Sequence, residues 1–585
     1  MPRLNRRPLI DPRNGDAEDD VSSLHGRSLL TIGGSLLSEI SSVKLVIALV
    51  MLVILPAAAL GVAPLVVTGW IAAVSRGVLD PFAGIWPLLV LFIGLVAARY
   101  FGRSLLRAAE RSFWALNSLA VQPFYAMGRE GIRHLVESLL ARHEDRLWRA
   151  RLRSLAAIGA GVLVAIAALG LAAAAWPGTR WVGSVADLLF PYRLLLPALA
   201  NSVVIVAAYL AAAALVWGFA DGTMDQPRDL EAFDKIGEGA GRVWRVAHLS
   251  DFHTVGGRYE FRIESGRNGP RGNHQMAHVL DRLAERHAQS PLDLIVITGD
   301  MTDAGRSSEW AEFLDAVNRH PSLAERMLML PGNHDLNVVD RANPARLDLP
   351  TSPGKRLRQM RALSAIDAIQ GSRVHVVDAE TGRVGATLSD MLVPLRDDIA
   401  EFAARGTMRQ SFRLAQVWSD VFPMVLPPPT ADGIGVMILN SNAESHFSFT
   451  NALGVVPAEQ ERQVVAVAQA YPRAGWIVAL HHHLVEYPMK SRGLAERIGT
   501  ALINGSRFVR LLRPIAGRTL VMHGHRHFDW MGECGELRIA SAPSPVMSRP
   551  PSPHFHIQRL ATGPHGRLHL LPPEEVDITQ VPEYG

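Results

Sequence analysis

Five short apolar runs in the C-terminal half of this 585-residue chain each lead into histidines, carboxylates or an asparagine. The runs WRVAHLS, LDLIVITG, RMLMLP, WIVAL and TLVM precede Asp251-Phe-His253, Gly299-Asp300-Met-Thr-Asp303, Gly332-Asn333-His334-Asp335, His481-His482-His483 and Gly524-His525-Arg-His527. Strands that repeatedly deliver polar ligands at their C-terminal ends restrict the fold to a layered α/β domain with its site at that edge. The donors are oxygen and imidazole without thiolate, which suits Mn, Fe, Zn, Ni or Co rather than a cysteine-built structural zinc site. One Asp flanked by two sets of His, Asn and Asp donors suggests a pair of metals sharing a bridge.

Helix-period segments at 273–289, SSEWAEFLDAVNRH and VPAEQERQVVAVAQAY alternate with these strands, as a layered α/β domain requires. Between Asp335 and GVMILNSNAES the alternation blurs, and the insertion 341–434 is expected to form a cap or rim beside the site. The tail alternates strand-like pieces: LRIASAP, HFHIQRL and RLHLLP.

The first 220 residues have a different composition. Residues 45–75, 81–98, 155–178 and 194–220 carry no charge, and each is long enough to span a bilayer. The first is read as one long tilted helix that Pro56 and Pro64 can kink. A signal peptide is not expected, because 44 mostly polar residues precede it. No run contains the ionisable residues that transporters use, so an anchor is the better reading. Arginines cluster between the second and third runs, from Arg99 to Arg153, and the positive-inside rule then puts that loop, the N-terminus and everything after residue 220 in the cytoplasm. The helical stretches of this loop suit either anionic headgroups or a solvated face packed on the catalytic domain. Nucleic-acid binding is not expected at a net charge of +4. The single cysteine, Cys534, excludes an intramolecular disulfide and fits a reducing compartment.

In order, D-x-H, G-D-x-x-D, G-N-H-D, a later His and G-H-x-H resemble the signature of the calcineurin-like metallophosphoesterase superfamily, over about residues 243–575. The resemblance implies an α/β fold, a four-layer αββα metallophosphoesterase sandwich, here preceded by an all-α transmembrane region of about four helices. The expected order is a cytoplasmic N-terminal segment 1–44, a membrane region 45–220 with the Arg-rich loop 99–154, a linker 221–242, the enzyme domain 243–575 and a tail 576–585. Similarity to the family implies that Asp251, His253 and His527 bind one metal, that Asp300 bridges, and that Asn333, His481 and His525 complete the second. A hydroxide held between the metals would attack phosphorus. His482 rivals His481 as ligand, and His483 either reaches the substrate or lines the rim. His334 would contact the phosphate and protonate the leaving oxygen, with Asp303 paired to it to raise its basicity. Asp335 is expected behind the ligands, His248 and His523 as core histidines, Cys534 as a packing residue, and the role of His274 stays open.

These residues imply a metal-dependent phosphoesterase, preferably a phosphodiesterase, with two divalent ions as cofactors and an oligomeric state left open. It is expected to be anchored in a bacterial inner membrane with its catalytic domain in the cytoplasm. The alternatives are a phosphomonoesterase or pyrophosphatase acting on a lipid-linked substrate, and a non-catalytic membrane-tethered sensor or scaffold. The motifs of zincins, P-loop NTPases and serine hydrolases are absent from the sequence.

Overall fold

The apolar runs before the ligand motifs are strands in the computed structural model: β1 (Val243–Leu249), β2 (Leu294–Ile297), β3 (Met327–Met329), β5 (Gly475–Ala479) and β6 (Thr519–His523), with β4 (Ile434–Ile438) between the third and fourth of them. The tail adds β7 (Trp530–Cys534), β8 (Leu537–Ser541), β9 (His554–Thr562) and β10 (Leu568–Asp577). The described residues are 7–16, 54–78, 122–139, 146–184, 190–235, 242–266, 269–338, 347–348, 352–378, 381–444, 446–448, 451–489, 502–547 and 552–578, with a few isolated positions between them.

The strands form two mixed sheets of an α/β sandwich. One is five-stranded, in the order β10-β9-β1-β2-β3, with β1, β2 and β3 parallel. The other is nine-stranded, and its centre is the parallel set β8-β6-β5-β4. The central strands β2, β4 and β5 are buried along their whole length, so they are uninterrupted apolar runs rather than alternating ones. Residues from both sheets share a single apolar core that includes Val246, Ile295, Ile477 and Leu520.

The described residues of the insertion 341–434 join the α/β unit. Its strands His375–Val377, Val384–Thr387 and Met424–Leu426 extend the edge of the large sheet. Its helix Pro353–Gln370 is buried from Lys355 to Gln370 and shows no polar stripe, as expected for a helix covered on all sides. Three of its basic residues brace the loops of the ligand motifs and their surroundings. Arg361 donates to the Gly305 carbonyl (2.9 Å), Arg358 to Leu336 (2.7 Å), and Lys355 to Ala443 (3.1 Å).

The chain divides into two units, residues 42–224 and residues 1–41 with 225–585. The N-terminal stretch therefore belongs with the α/β unit. Ile10 enters the core, its N–H donates to Ser364 Oγ (2.7 Å), Asp16 pairs with Arg361 and Arg13 with Asp315.

The other unit is helical. Its described helices are Leu55–Val78, Gln122–Leu139, Arg146–Ala175 and Leu195–Gly222. Among the described residues, Ala150–Gly178 and Tyr192–Gly222 are long and apolar enough to cross a membrane, and Ala58–Ala72 is a shorter apolar segment. Most of the expected run 81–98 lies outside the described residues. Arg146–Arg153, within the stretch read as helical, forms the first two turns of a long helix. The two long helices meet through small residues: a Cβ on Gly161 would strike the Ala214 carbonyl, as close approach between apolar helices demands. Asn201 is satisfied inside the unit, donating to Gly61 (3.1 Å) and Arg180 (2.6 Å) and accepting from Arg180 N (3.1 Å).

Candidate metal centre

Strands β1, β2, β3, β5 and β6 stop one to three residues before their ligands, and there the backbone turns sharply. Among the described residues, five non-glycine positions have positive φ: Asp251, His253, Asp300, His525 and His527. All five are predicted ligands. Left-handed backbone is costly for such residues and persists where the surrounding structure enforces it, which happens mostly at functional sites. The enforcement is visible in the hydrogen bonds. Asp251 N donates to the Gly299 carbonyl (3.0 Å), His253 N to Asp300 (2.9 Å) and Gly524 N to His481 (3.1 Å), so the motif loops lock onto one another past the strand ends. Gly332 is required because a Cβ there would overlap the Asp300 carboxylate.

Two groups result. Asp251, His253 and His527 converge on one point, and Asp300, His481 and His525 on another. Asp300 Oδ2 lies 3.7 Å from His253 Nε2 and 3.3 Å from His481 Nε2, so its carboxylate reaches both groups. Asn333 joins the second, its Oδ1 lying 2.9 Å from His481 Nε2. The structure thus brings all seven predicted ligands together in the order the motifs implied.

Of the triple histidine, His481 faces this centre. His482 turns away: its Nδ1 pairs with Ser441 Oγ (2.8 Å), and burial holds its imidazole well below the usual histidine range. His483 lies 3.3 Å from Glu486 and its ring stacks with His525 at 6.1 Å. His248 contacts Thr298 Oγ1 (3.2 Å), and burial pushes it down to about 3; the same value holds for buried His523. His274 begins the helix His274–Gln289. The buried Cys534 thiol donates to the Asp225 carbonyl (3.0 Å) and is pushed up to about 12.

Asp303 differs from the expected pairing. His334 Nδ1 donates to the backbone carbonyl of Asp303 (2.7 Å), not to its carboxylate. That carboxylate instead accepts from Ile263 N (2.6 Å) and faces His253 Nδ1 at 3.4 Å. The loop after Asp300 turns the side chain towards His253 and leaves the carbonyl towards His334. Asp303 still acts on His334 through its charge: burial pulls the imidazolium down, but Asp300, Asp303 and Glu264 outweigh it and hold His334 at about 9. His334 keeps 7% exposure and its N–H anchors on Asp300 Oδ1 (2.8 Å). Asp335 lies behind the ligands, accepting from Thr302 N (2.8 Å) and Gly332 N (2.8 Å).

Residues 245–399 match the family of calcineurin-like phosphoesterases. The chain carries a calcineurin-like phosphoesterase domain. Solved structures similar to the chain include a putative 5'-nucleotidase from Staphylococcus aureus, at 12% identity and a TM-score of 0.30 over 59% of this chain and 56% of that one. A dimetal phosphatase from Danio rerio matches at 12% identity and a TM-score of 0.34, over 57% of this chain and 99% of that one. A purple acid phosphatase from yellow lupin seeds matches at 13% identity and a TM-score of 0.28, over 58% and 52%. The chain thus spans about half the length of the nucleotidase and the lupin phosphatase. No curated protein matches it.

The donor chemistry of the phosphoesterase domain fits bound cations. His481 Nδ1 donates to the Thr298 carbonyl (2.8 Å), which turns Nε2 to Asp300 Oδ2 and Asn333 Oδ1 and to within 3.1 Å of His525 Nδ1. Burial pulls this imidazolium down, but Asp300 and Asp251 outweigh it and raise His481 to about 9, so a proton holds the place of a cation at Nε2. His253 repeats the pattern: its Nδ1 faces Asp303, and its Nε2 lies 3.1 Å from His527 Nε2. Facing lone pairs in a buried site are unfavourable unless a cation sits among them. A ligating imidazole that fixes its other nitrogen on a carbonyl or carboxylate is the usual arrangement around a metal. The sequence reading passed over Glu264, whose charge acts on both His334 and His527. It lies on a loop without a motif, so no local signal marked it.

Proposed function

We propose that this chain is a dinuclear metal-dependent phosphodiesterase whose domain is held at the cytoplasmic face of a membrane. The observation that carries the proposal is the convergence of seven donors whose lone pairs face one another. Asp251, His253 and His527 would hold one ion, Asn333, His481 and His525 the other, and Asp300 would be shared. Two divalent ions bound there supply positive charge that offsets the phosphoryl oxygens, and they acidify coordinated water. Asp303 orients His253 through Nδ1. His334, held protonated beside both groups of donors, donates its proton to the departing oxygen, the poor leaving group of an alkyl phosphodiester. The diesterase preference rests on the motif set, and the filled ligand positions speak against a non-catalytic scaffold.

The membrane reading rests on exposed apolar side chains along the two long helices, including Leu163 (58%), Ile166 (61%), Leu196 (79%) and Phe219 (66%). So large an apolar face is stable in lipid and a liability in water. Trp176, Trp181, Phe190 and Tyr192 gather with Arg180 and Arg193 near the connector between these helices, the composition of an interfacial belt. The same faces favour a second reading, hydrolysis of a lipid-linked monoester or pyrophosphate.

Detergent-purified protein with added Mn is expected to hydrolyse bis(p-nitrophenyl) phosphate faster than p-nitrophenyl phosphate. The reverse order would favour the monoesterase. Equal inertness of the wild type and Asp300→Ala on both compounds would defeat the enzyme reading.

A further inference from the structure

A second group of donors lies outside the centre described above and shares no residue with it. Strand β9 opens with His554-Phe-His556, and residues two apart on a strand present their side chains on the same face. Both imidazoles are buried, and their rings sit 5.2 Å apart at 80°. Asp529, in the stretch between β6 and β7, spans them. Its Oδ2 lies 3.1 Å from His554 Nε2 and its Oδ1 lies 3.0 Å from His556 Nε2. The three donor atoms lie within 4.8 Å of one another. The Asp529 side chain keeps 32% exposure, so the group opens to solvent.

The hydrogen bonding repeats the pattern at His481. His554 Nδ1 donates to the Ser552 carbonyl (2.8 Å), which turns Nε2 to a carboxylate oxygen of Asp529. A ring nitrogen and a carboxylate oxygen at that distance share a cation between them, either a proton or a metal ion. His556 Nδ1 is buried without a hydrogen-bond partner, so the ring is held by what lies at its Nε2. Two imidazole nitrogens and one carboxylate match the donor set of three-ligand zinc sites, which leave the fourth position to water.

We propose that Asp529, His554 and His556 form a separate mononuclear site for a divalent transition metal of the zinc type. The bound ion ties β9 to the loop that carries His525 and His527, and so steadies two ligands of the neighbouring centre from outside it.

The test counts metal on the full-length, detergent-solubilised protein after chelation and titration with Zn²⁺ alone. Asp529→Ala is expected to bind one equivalent fewer than its parent, both in the wild type and in an Asp300→Ala background. The second background separates this site from the proposed dinuclear centre, because loss of that centre's ions leaves the difference of one intact. Equal stoichiometry with and without Asp529 in both backgrounds would overturn the proposal and leave a proton-bridged triad. A gain of signal guards against misfolded variants. In His556→Cys loaded with Co²⁺, a thiolate-to-cobalt charge-transfer band is expected that the wild type lacks. Its absence in protein that unfolds cooperatively would also overturn the assignment.

Discussion

Around Asp221 in the helical unit, buried charged groups pair with one another, whereas donors at the strand ends of the α/β unit crowd onto shared points. Asp221, at the end of the last long helix, accepts from the Tyr125 hydroxyl (2.9 Å) and from Arg129 (2.6 Å), while Glu130 takes Arg129 and Arg133, each at 2.8 Å. Every charge there meets its opposite, and Arg129 and Arg133 are turned to partners in their own unit. In the α/β unit, His481 Nε2 and His253 Nε2 look at other acceptors or at another imidazole. A buried network that closes on itself holds a fold together; one that leaves acceptors facing acceptors is completed by something the chain does not supply. Charge buried in the first unit is therefore structural, and charge buried in the second points to chemistry.

The contrast can be broken by substitution. The largest effect is expected at Asp300: Asp300→Ala should lower hydrolysis of bis(p-nitrophenyl) phosphate by about 10³-fold or more, since several kcal/mol of charge stabilisation depends on the ions it would share. Chelation of the wild type should match it, and thermal stability should change far less than activity. Asp221→Ala should do the opposite. Breaking a buried ion pair costs about 3–5 kcal/mol, read as a lower unfolding midpoint of the helical unit through Trp217, whose ring lies 5.9 Å from Tyr125. Hydrolysis at room temperature should persist; its parallel collapse would erase the distinction between the units.

Glu309 tests the α/β unit for a buried charge without a catalytic task. It accepts from Ala304 N (2.8 Å) and Arg306 N (3.0 Å), and burial raises its carboxyl from 4.5 to about 7. A carboxyl raised in the fold stabilises fully below its unfolded pKa, and that contribution is lost as pH rises through about 7. Glu309→Gln should therefore gain stability relative to wild type at pH 8, by up to about 3 kcal/mol, and the gain should vanish near pH 4. A pH-independent difference in unfolding midpoints would contradict the burial argument. The smallest effect is expected at Asp303. Asp303→Asn should weaken metal affinity or activity by about 10- to 100-fold, the usual cost of removing a partner behind a ligating histidine. If metal affinity stays intact while only the alkaline limb of the pH–rate profile moves to lower pH, Asp303 serves His334 and not His253.

Much of the α/β domain was legible because its signals are local. An apolar run of four to seven residues followed at once by Asp, His or Asn marks a strand and its ligands within one window, as at β2 and Asp300. The strands of the insertion gave no such signal: His375–Val377 and Met424–Leu426 are three residues each and gain their identity by pairing with each other. Residues 7–16 read as a polar N-terminal segment, yet Ile10, Arg13 and Asp16 find partners more than 300 positions away. The group at Asp529, His554 and His556 was hidden for the same reason, since an H-x-H in a strand-like tail has no meaning until a loop brings it a carboxylate.

The sequence alone determined which donor types gather at the strand ends and hence the class of chemistry, because each motif lies within a few residues of the strand that presents it. Only the tertiary structure decided which lone pairs face one another. His253 meets His527 across 274 positions, and His481 fixes its tautomer on a carbonyl 183 positions away. It also decided that Asp303 turns its carboxylate to His253 and its carbonyl to His334. A backbone torsion at one loop sets that choice, and such a torsion is enforced by contacts from distant strands, not by the residues that carry it.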